Sequence, residues 1–200
     1  MAGFGAEPQK KLSFKILAKR VSLKIPSFED YAHFYEARFN PDVTHWADDG
    51  HYELSLEDYA YGRMSAMEQG LMMERIIVLD GEPIGTVTGR EYVEKTKQCT
   101  LGVVIAFQEH WGKGYGYEAI KQFQVLLAAE GIQRIVLDVY ATNKRAQGCF
   151  HKLGFVKRRV YFAPHTGRFV VQMLKKLTPP KPIGECISRD DPRWRPPHQR

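Results

Sequence analysis

Three glycines alternate with other residues in a loop near the centre of the chain, in the sequence Trp111-Gly-Lys-Gly-Tyr-Gly116. An apolar pattern typical of a strand precedes the loop, and an amphipathic pattern typical of a helix follows it. Glycine permits positive φ in tight turns, and the first N–H groups of a helix lack intrahelical partners and carry the positive end of the helix dipole. The loop therefore predicts a binding site for an anionic, phosphate-rich ligand.

The spacing of these glycines argues against two common nucleotide-binding loops. A Walker loop needs Gly-Lys followed by Ser or Thr, whereas Lys113 is followed by Gly114. A dinucleotide loop starts directly after a strand and has an acidic residue about 20 positions later at a strand end. Here Asp138 lies inside the apolar run 135–139. A nicotinamide-dinucleotide enzyme is thus a distant alternative, and a simple strand-to-helix turn also remains open.

The segment from Asn143 to Phe155 is a second informative motif. Asn143 is a favourable N-cap for a short helix, and Gly154 can end it. The apolar residues between them recur on one helical face, namely Ala146, Cys149, Phe150 and Leu153. Together with the glycine loop, this segment resembles the GNAT N-acetyltransferase superfamily, whose acetyl-CoA loop is (Gln/Arg)-x-x-Gly-x-(Gly/Ala) and whose later motif is Asn…Lys-x-Gly-Phe.

The resemblance extends over about residues 20–177, and one departure from it is informative. Trp111 stands where most members have Gln or Arg. The run Trp-Gly-Lys-Gly-Tyr, followed by Glu118 and Ala119, is similar to the RimJ/RimL-like branch, which contains the ribosomal-protein N-terminal acetyltransferases and several small-amine acetyltransferases. Segments 20–25 and 40–46 also resemble the opening strand and the loop after the first helix in that branch.

This resemblance implies an α/β fold of the GNAT type. The expected sheet is mixed and mostly antiparallel, with about seven strands, helices on both faces, and splayed fourth and fifth strands. The expected divisions are a flexible N-terminus over 1–11, an acetyltransferase domain over 12–177, and a charged tail over 178–200 that holds six of the eleven prolines. Such a tail is either passive or, through Trp194, a docking element for a partner or for a second copy in a homodimer.

The resemblance also implies where acetyl-CoA would bind. The pantetheine arm would lie between the splayed strands along the edge of the fourth, with Asn143 bonding it directly or through water. The pyrophosphate would meet N–H groups of the glycine loop, and the basic side chains of Lys113, Lys144 and Arg145 could face the nucleotide phosphates. The expected cofactor-binding residues are Val104, Ile105, Ala106, Trp111, Gly112, Lys113, Gly114, Tyr115, Gly116, Tyr117, Asn143, Lys144 and Arg145.

The acid and base of the reaction are less well marked in the sequence. In this superfamily a neutral amine attacks the thioester directly, so the enzyme must remove a proton from the amine, polarise the carbonyl and protonate the thiolate. Phe150 replaces a tyrosine that donates the proton in many members, and Thr100 replaces a strand glutamate. We expect Tyr140 to donate the proton and Glu91 to draw off the amine proton through water. Core packing for Tyr140 and a solvated charge for Glu91 are the alternatives.

The region between the first predicted helix and the third strand combines aromatic and acidic residues. Aromatic faces and carboxylates attract cations, so we expect an amine acceptor near Tyr35, Trp46 and Glu53. A protein N-terminus is the first candidate, and a polyamine or an aminoglycoside is the alternative. Two other interpretations stay open: these aromatic residues are helix core, or the protein is an acyl-CoA-binding sensor without turnover.

Composition limits the remaining classes of protein. With 200 residues, 44% hydrophobic content, a mean hydropathy of −0.39 and no long apolar run, the chain predicts one compact domain without a membrane span. The start lacks the apolar core of a secretory signal, and the three cysteines have neither paired nor metal-binding spacing, so we expect a cytoplasmic protein without disulfides or metal. A net charge of +6 suits a polyanionic cosubstrate, and no nucleic-acid-binding motif is present.

Overall fold

A computed structural model describes residues 19–46 and 54–178. The predicted N-terminal segment 1–11, the tail beyond residue 178 with Trp194, and Glu53 lie outside the described residues. The described chain forms seven strands and five α-helices. In chain order they are β1 Val21–Lys24, α1 Phe28–Phe34, α2 Pro41–Thr44, α3 Leu56–Glu68, β2 Met72–Leu79, β3 Glu82–Val93, β4 Gln98–Ile105, α4 Tyr115–Ala129, β5 Arg134–Tyr140, α5 Lys144–Lys152, β6 Val156–Ala163 and β7 Arg168–Lys176.

The seven strands form one sheet in the order β1-β2-β3-β4-β5-β7-β6. All neighbouring strands are antiparallel except β4 and β5, which are parallel. Asp80 and Gly81 join β2 to β3 with φ values of 51° and 93°, the left-handed backbone that a two-residue hairpin turn requires. The predicted mixed, mostly antiparallel sheet of seven strands is confirmed.

The two parallel strands separate after a short contact. β4 pairs with β5 only from Gln98 to Thr100, against residues 134–136. Beyond that point β4 continues to Ile105 along β3, and β5 continues to Tyr140 along β7. A gap therefore opens between β4 and β5, as the splayed strands of the expected fold require.

Helices cover both faces of the sheet, and two adjacent residues of β2 show how. Ile76 packs with Tyr31 of α1 and Tyr59 of α3, whereas Ile77 packs in the cluster that contains Phe123 of α4. Successive strand residues point to opposite faces, so α1 and α3 lie on one side of the sheet and α4 lies on the other. Burial of each of these large side chains contributes about 1.5–3 kcal/mol to stability.

Local polar residues fix where the helices begin. At α1 the Asp30 carboxylate accepts the Ser27 N–H at 3.0 Å, and at α3 the Ser55 hydroxyl accepts the Asp58 N–H at 3.0 Å. Ser and Asp at these positions are favourable for the start of a helix. The loop expected over residues 40–46 is wrong in part, because Asn40 accepts from a backbone N–H two residues later and nucleates the short α2.

Candidate active site

A long cleft of about 1620 Å³ runs through the described structure. It is larger than the roughly 300–1,000 Å³ of most small-molecule sites, so it can hold an elongated ligand together with a second reactant. Most of the residues singled out in the sequence line it, namely Trp46, Glu91, Val104, Ile105, Ala106, Trp111, Gly112, Gly114, Tyr115, Gly116, Tyr117, Tyr140, Asn143, Lys144 and Arg145. Tyr35 and Lys113 are not among the lining residues.

The alternation of backbone groups along β4 decides which residues face the gap. The Ala106 N–H donates to the carbonyl of Ile84 in β3 at 2.9 Å, so Ala106 and, two residues earlier, Val104 turn their backbone polar groups towards β3. Val103 and Ile105 turn theirs into the gap. The backbone groups of Val104 and Ala106 are thus engaged with β3, and a ligand in the gap would meet those of Val103 and Ile105.

The amino end of α4 presents backbone donors to the cleft. Gly114 is the N-cap in the left-handed conformation, with φ of 88°, and no side chain caps this helix. The first backbone bond of the helix runs from the Glu118 N–H to the Gly114 carbonyl at 3.1 Å. The N–H groups of Tyr115, Gly116 and Tyr117 thus precede the intrahelical ladder and lie at the positive end of a 15-residue helix. This is a site suited to an anion.

Trp111 ties the glycine loop to β4. Its indole Nε1–H donates to the Ile105 carbonyl at 2.8 Å, and its backbone N–H donates to the Gln108 carbonyl at 2.9 Å. The expectation that this backbone N–H binds a phosphate is wrong because the group already has an acceptor. The Arg145 guanidinium lies 4.4 Å from the centre of an indole ring, so the same tryptophan also positions a cation over the cleft.

The start of α5 contributes one amide and two cations. Asn143 is buried, and its side-chain oxygen accepts the Ala146 N–H at 3.1 Å, which leaves the amide N–H groups as its donors to a ligand. Lys144 and Arg145 follow directly and line the cleft. Lys113 is exposed, so the expectation that it faces a bound nucleotide finds no support in its position.

Tyr140 lies on the β5 side of the gap at the end of its strand. It is buried and packs with Ala163 and Val170, and the Arg168 guanidinium lies 4.8 Å from the centre of its ring. These contacts fix the ring beside the cleft. The placement is compatible with both interpretations of Tyr140, packing residue and proton donor.

Glu91 lines the cleft from an irregular part of β3. It has a left-handed φ of 55° within a bulge of the strand, and its carboxylate lies 3.6 Å from the Arg90 Nε. Phe150 lines the cleft but carries no proton to donate. Burial raises the pKa of the Cys149 thiol, so this group is protonated at neutral pH and is a poor nucleophile.

The expected acceptor residues separate in the structure. Tyr35 is part of the helix packing, because its ring contacts Phe39 and Tyr59 and its hydroxyl donates to the Leu54 carbonyl. These contacts favour the helix-core interpretation, and a substrate contact of Tyr35 stays a prediction. Trp46 does line the cleft, next to the cluster that holds Tyr140.

Arginines that the sequence analysis did not single out line the acceptor end of the cleft, the part formed by α3, β3 and the turn after α1. They are Arg38, Arg63 and Arg90. Arg38 covers the face of Tyr59, with 3.6 Å between guanidinium carbon and ring centre. The chain's own cation thus already covers the face of Tyr59 and lies 5.5 Å from the centre of the Tyr35 ring. Helical periodicity alone could not predict that Arg38 stacks on Tyr59, because this contact depends on how α1 and α3 pack.

Buried charge at this end is balanced by Glu74. This fully buried carboxylate accepts from Arg63 at 2.6 and 2.9 Å and from the Tyr31 hydroxyl at 2.5 Å. Burial works against the charge of Arg63, but the hydrogen bonds and charge of Glu74 raise its pKa overall. Glu74 therefore positions Arg63 beside the cleft and neutralises it.

Within residues 19–46 and 54–178, no group of three or more His, Cys, Asp or Glu side chains is arranged to hold a metal ion. No helix in this part of the chain is long and apolar enough to cross a membrane.

Comparison with solved structures gives several acetyltransferases. Spermidine N-acetyltransferase from Vibrio cholerae, solved with CoA and spermine, has a TM-score of 0.72 at 17% identity, over 81% of this chain and 98% of that chain. RimL, the ribosomal L7/L12 alpha-N-protein acetyltransferase solved with CoA, has a TM-score of 0.71 at 14% identity, over 80% and 96%. The aminoglycoside acetyltransferase AAC(6')-Ib, solved with CoA, has a TM-score of 0.64 at 23% identity, over 78% and 94%.

The sequence itself identifies the family. A search of curated proteins gives no significant match. The family model for the acetyltransferase (GNAT) domain, in contrast, matches residues 20–156. That range contains both the glycine loop and the helix capped by Asn143, so the two motifs belong to an acetyltransferase domain and not to a dinucleotide-binding one. The chain is an acyltransferase and a member of the acetyltransferase (GNAT) family.

Proposed function

We propose that this enzyme transfers the acetyl group of acetyl-CoA directly to the α-amino group of a protein N-terminus. The observation that supports the proposal most directly is the gap between β4 and β5. The N-terminus of α4, whose first backbone N–H groups have no intrahelical acceptor, borders this gap. An elongated thioester fits this arrangement, with its phosphates at the helix end and its acyl group in the gap. Solved structures of related fold contain CoA or acetyl-CoA at up to 23% identity, which supports the same donor here.

The chain's own groups fit the donor. The N–H groups of residues 115–117 supply hydrogen bonds for the pyrophosphate, and Lys144 and Arg145 supply positive charge close by. In the gap, the N–H groups of Val103 and Ile105 are available to the pantetheine amides and the thioester carbonyl. Basic side chains outnumber acidic ones along the cleft as a whole, which favours a polyanionic donor.

Transfer then needs three contributions from the protein. A backbone N–H in the β4 edge polarises the thioester carbonyl as the amine attacks and negative charge develops on the oxygen. Glu91 receives the amine proton through water, and Tyr140 protonates the sulfur as the C–S bond breaks. Phe150 cannot perform this last step. The new C–N bond replaces the C–S bond directly, so no covalent intermediate on the protein is required.

Charge at the acceptor end favours a protein N-terminus over the polycationic amines. Arg38, Arg63 and Arg90 line this end, and Glu91 is held near Arg90. A polyamine or an aminoglycoside would bring several ammonium groups to an end of the cleft where, among the described residues, three guanidinium groups face only two carboxylates. A polypeptide N-terminus brings one amine, which reacts in its neutral form, and a backbone that the open cleft can accommodate.

The test is acetyl transfer to a panel of acceptors. We would measure CoA release, and product mass, with N-terminal peptides, spermidine, an aminoglycoside and an arylamine. Peptide acetylation at the α-amine is the expected result. A clear preference for spermidine or the aminoglycoside would contradict the proposed acceptor, and tight acetyl-CoA binding without transfer to any amine would indicate a sensor.

A further inference from the structure

Arg38 has no partner for its charge in the described structure. It lies in the turn after α1, and its Nε and Nη1 are buried and make no hydrogen bond. No carboxylate of the described chain is within ion-pair distance of it. Two buried guanidinium nitrogens without an acceptor are costly, so a bound anion that accepts from this guanidinium would stabilise its position.

The two other arginines at the acceptor end each have a carboxylate partner. Arg63 is paired with the buried Glu74, and Arg90 has Glu91 at 3.6 Å. Three guanidinium groups thus face two carboxylates among the described residues, and the uncompensated charge is that of Arg38. Counted over the described residues alone, this end of the cleft has one more positive charge than negative charges.

The guanidinium of Arg38 is also held in place before any ligand arrives. Its carbon lies 3.6 Å from the centre of the Tyr59 ring, and the rings of Tyr35 and Phe39 lie at 5.5 and 5.7 Å. Tyr59 is itself buried in the cluster between α1 and α3. A stacked, oriented guanidinium loses little conformational freedom on binding, and its planar fork suits a carboxylate.

We propose that Arg38 recognises a carboxylate on the acceptor, so that the preferred substrate is a polypeptide whose N-terminal amine is followed closely by an acidic side chain. The inference rests on the proposed function, because it assigns the specificity of the same acceptor site. It also explains why this end of the cleft is lined by arginines although the reacting group is an amine. The amine reacts at the gap while Arg38 binds the neighbouring carboxylate.

The test compares three peptides that differ only in their second residue, which is Glu, Gln or Lys. With the wild-type enzyme we expect kcat/KM to be at least tenfold higher for the Glu peptide than for the Gln peptide, and lowest for the Lys peptide. Arg38→Gln should reduce the Glu-to-Gln ratio to less than twofold, mainly through KM for the Glu peptide. Arg38→Lys should retain part of the preference, because it keeps the charge but loses the planar fork.

Arg158→Gln is the matched control, since Arg158 is exposed on β6 and does not line the cleft. It should leave the ratio unchanged. Equal rates for the Glu and Gln peptides with the wild-type enzyme would overturn the proposal even if Arg38→Gln fails to fold, and so would an undiminished ratio in a folded Arg38→Gln protein.

An additional assay with free glutamate as the acceptor distinguishes a failure of this inference from a failure of the proposed function. If free glutamate is acetylated and the peptides are not, with the activity lost in Arg38→Gln, Arg38 still recognises a carboxylate but the protein N-terminus is wrong. If uncharged peptides are acetylated as well as acidic ones, the N-terminal activity stands and the role of Arg38 is wrong.

Discussion

Gly114 is the position where a single methyl group should reveal how the donor binds. It is the N-cap of α4 with φ of 88°, and a Cβ built there would lie 3.1 Å from the Arg20 Nη2. Arg20 in turn pairs with Glu118 in the first turn of the helix. Gly114→Ala should therefore distort both the backbone that presents the free N–H groups and the side chain packed against it.

The size of the effect follows from the backbone conformation. A left-handed conformation costs a residue with a Cβ about 1–2 kcal/mol. If the variant relaxes to another loop conformation, binding of acetyl-CoA must restore the original one and affinity falls by that amount. A loss of 1.4 kcal/mol corresponds to tenfold, so we expect Kd to rise about 5- to 30-fold. Gly114→Val, with a bulkier side chain, should weaken binding by at least about tenfold.

Two glycine substitutions in helices provide matched controls. Gly116 has no left-handed φ, and the nearest neighbour of an added Cβ is the Ile105 Cγ1 at 3.9 Å. Gly62 lies within α3, away from the cleft, with nothing within 4 Å. Gly62→Ala should leave CoA affinity within about twofold and add about 0.5–1 kcal/mol of stability. Gly116→Ala adds a methyl group inside the cleft without backbone strain, so it should weaken CoA binding less than Gly114→Ala does.

The assay is isothermal titration of CoA into each folded variant, with thermal unfolding as the check on folding. If Gly114→Ala binds CoA as tightly as the wild type while remaining folded, the assignment of the α4 end as the phosphate site is refuted. Equal losses for the Gly114 and Gly116 variants would show that added volume, and not backbone conformation, is what matters there.

Three further predictions concern single residues of the site. Tyr140→Phe should lower kcat by about a hundredfold or more with little change in acetyl-CoA affinity, because the hydroxyl acts only as the C–S bond breaks; equal turnover across the pH range would leave water as the donor. Trp111→Phe removes the bond to the Ile105 carbonyl and should cost about 1 kcal/mol in stability, seen by denaturant titration, and weaken CoA binding several-fold; unchanged values would show that the bond does not order the loop. Glu74→Gln leaves Arg63 without its counter-ion and should lower the free energy of unfolding by about 3 kcal/mol, whereas Glu74→Gln combined with Arg63→Met should lower it less. A loss in the double variant equal to the sum of the two single losses would contradict a coupling between Glu74 and Arg63.

Local signals in the sequence predict most of the fold. Asn143 caps the helix that the sequence predicts after it, and Ser27, Ser55 and the Asp80-Gly81 turn are local signals of the same kind. Each of these depends on contacts within a few residues of the chain, so a local pattern contains the information. The short α2 at residues 41–44 escaped this reasoning because a four-residue helix has almost no periodicity.

The details of the candidate site depend on contacts between distant segments, which a local pattern does not contain. Whether Val104 or Val103 faces the gap follows from the pairing of β4 with β3, and a shift of one residue reverses the answer. Tyr35 belongs to an aromatic stripe that fits either a binding site or a core, and only the packing of α1 on α3 favours the core. No local pattern in the sequence marks Arg38, because its orientation depends on the tertiary contact with Tyr59.

The central claim is that the cleft between β4 and β5 binds acetyl-CoA as the acyl donor. Isothermal titration of the wild-type protein with acetyl-CoA, CoA and NADH tests it without knowledge of the acceptor. We expect saturable binding of acetyl-CoA and CoA at one site per chain and no measurable binding of NADH. Absence of acetyl-CoA binding by the folded protein, or tighter binding of NADH, would contradict it.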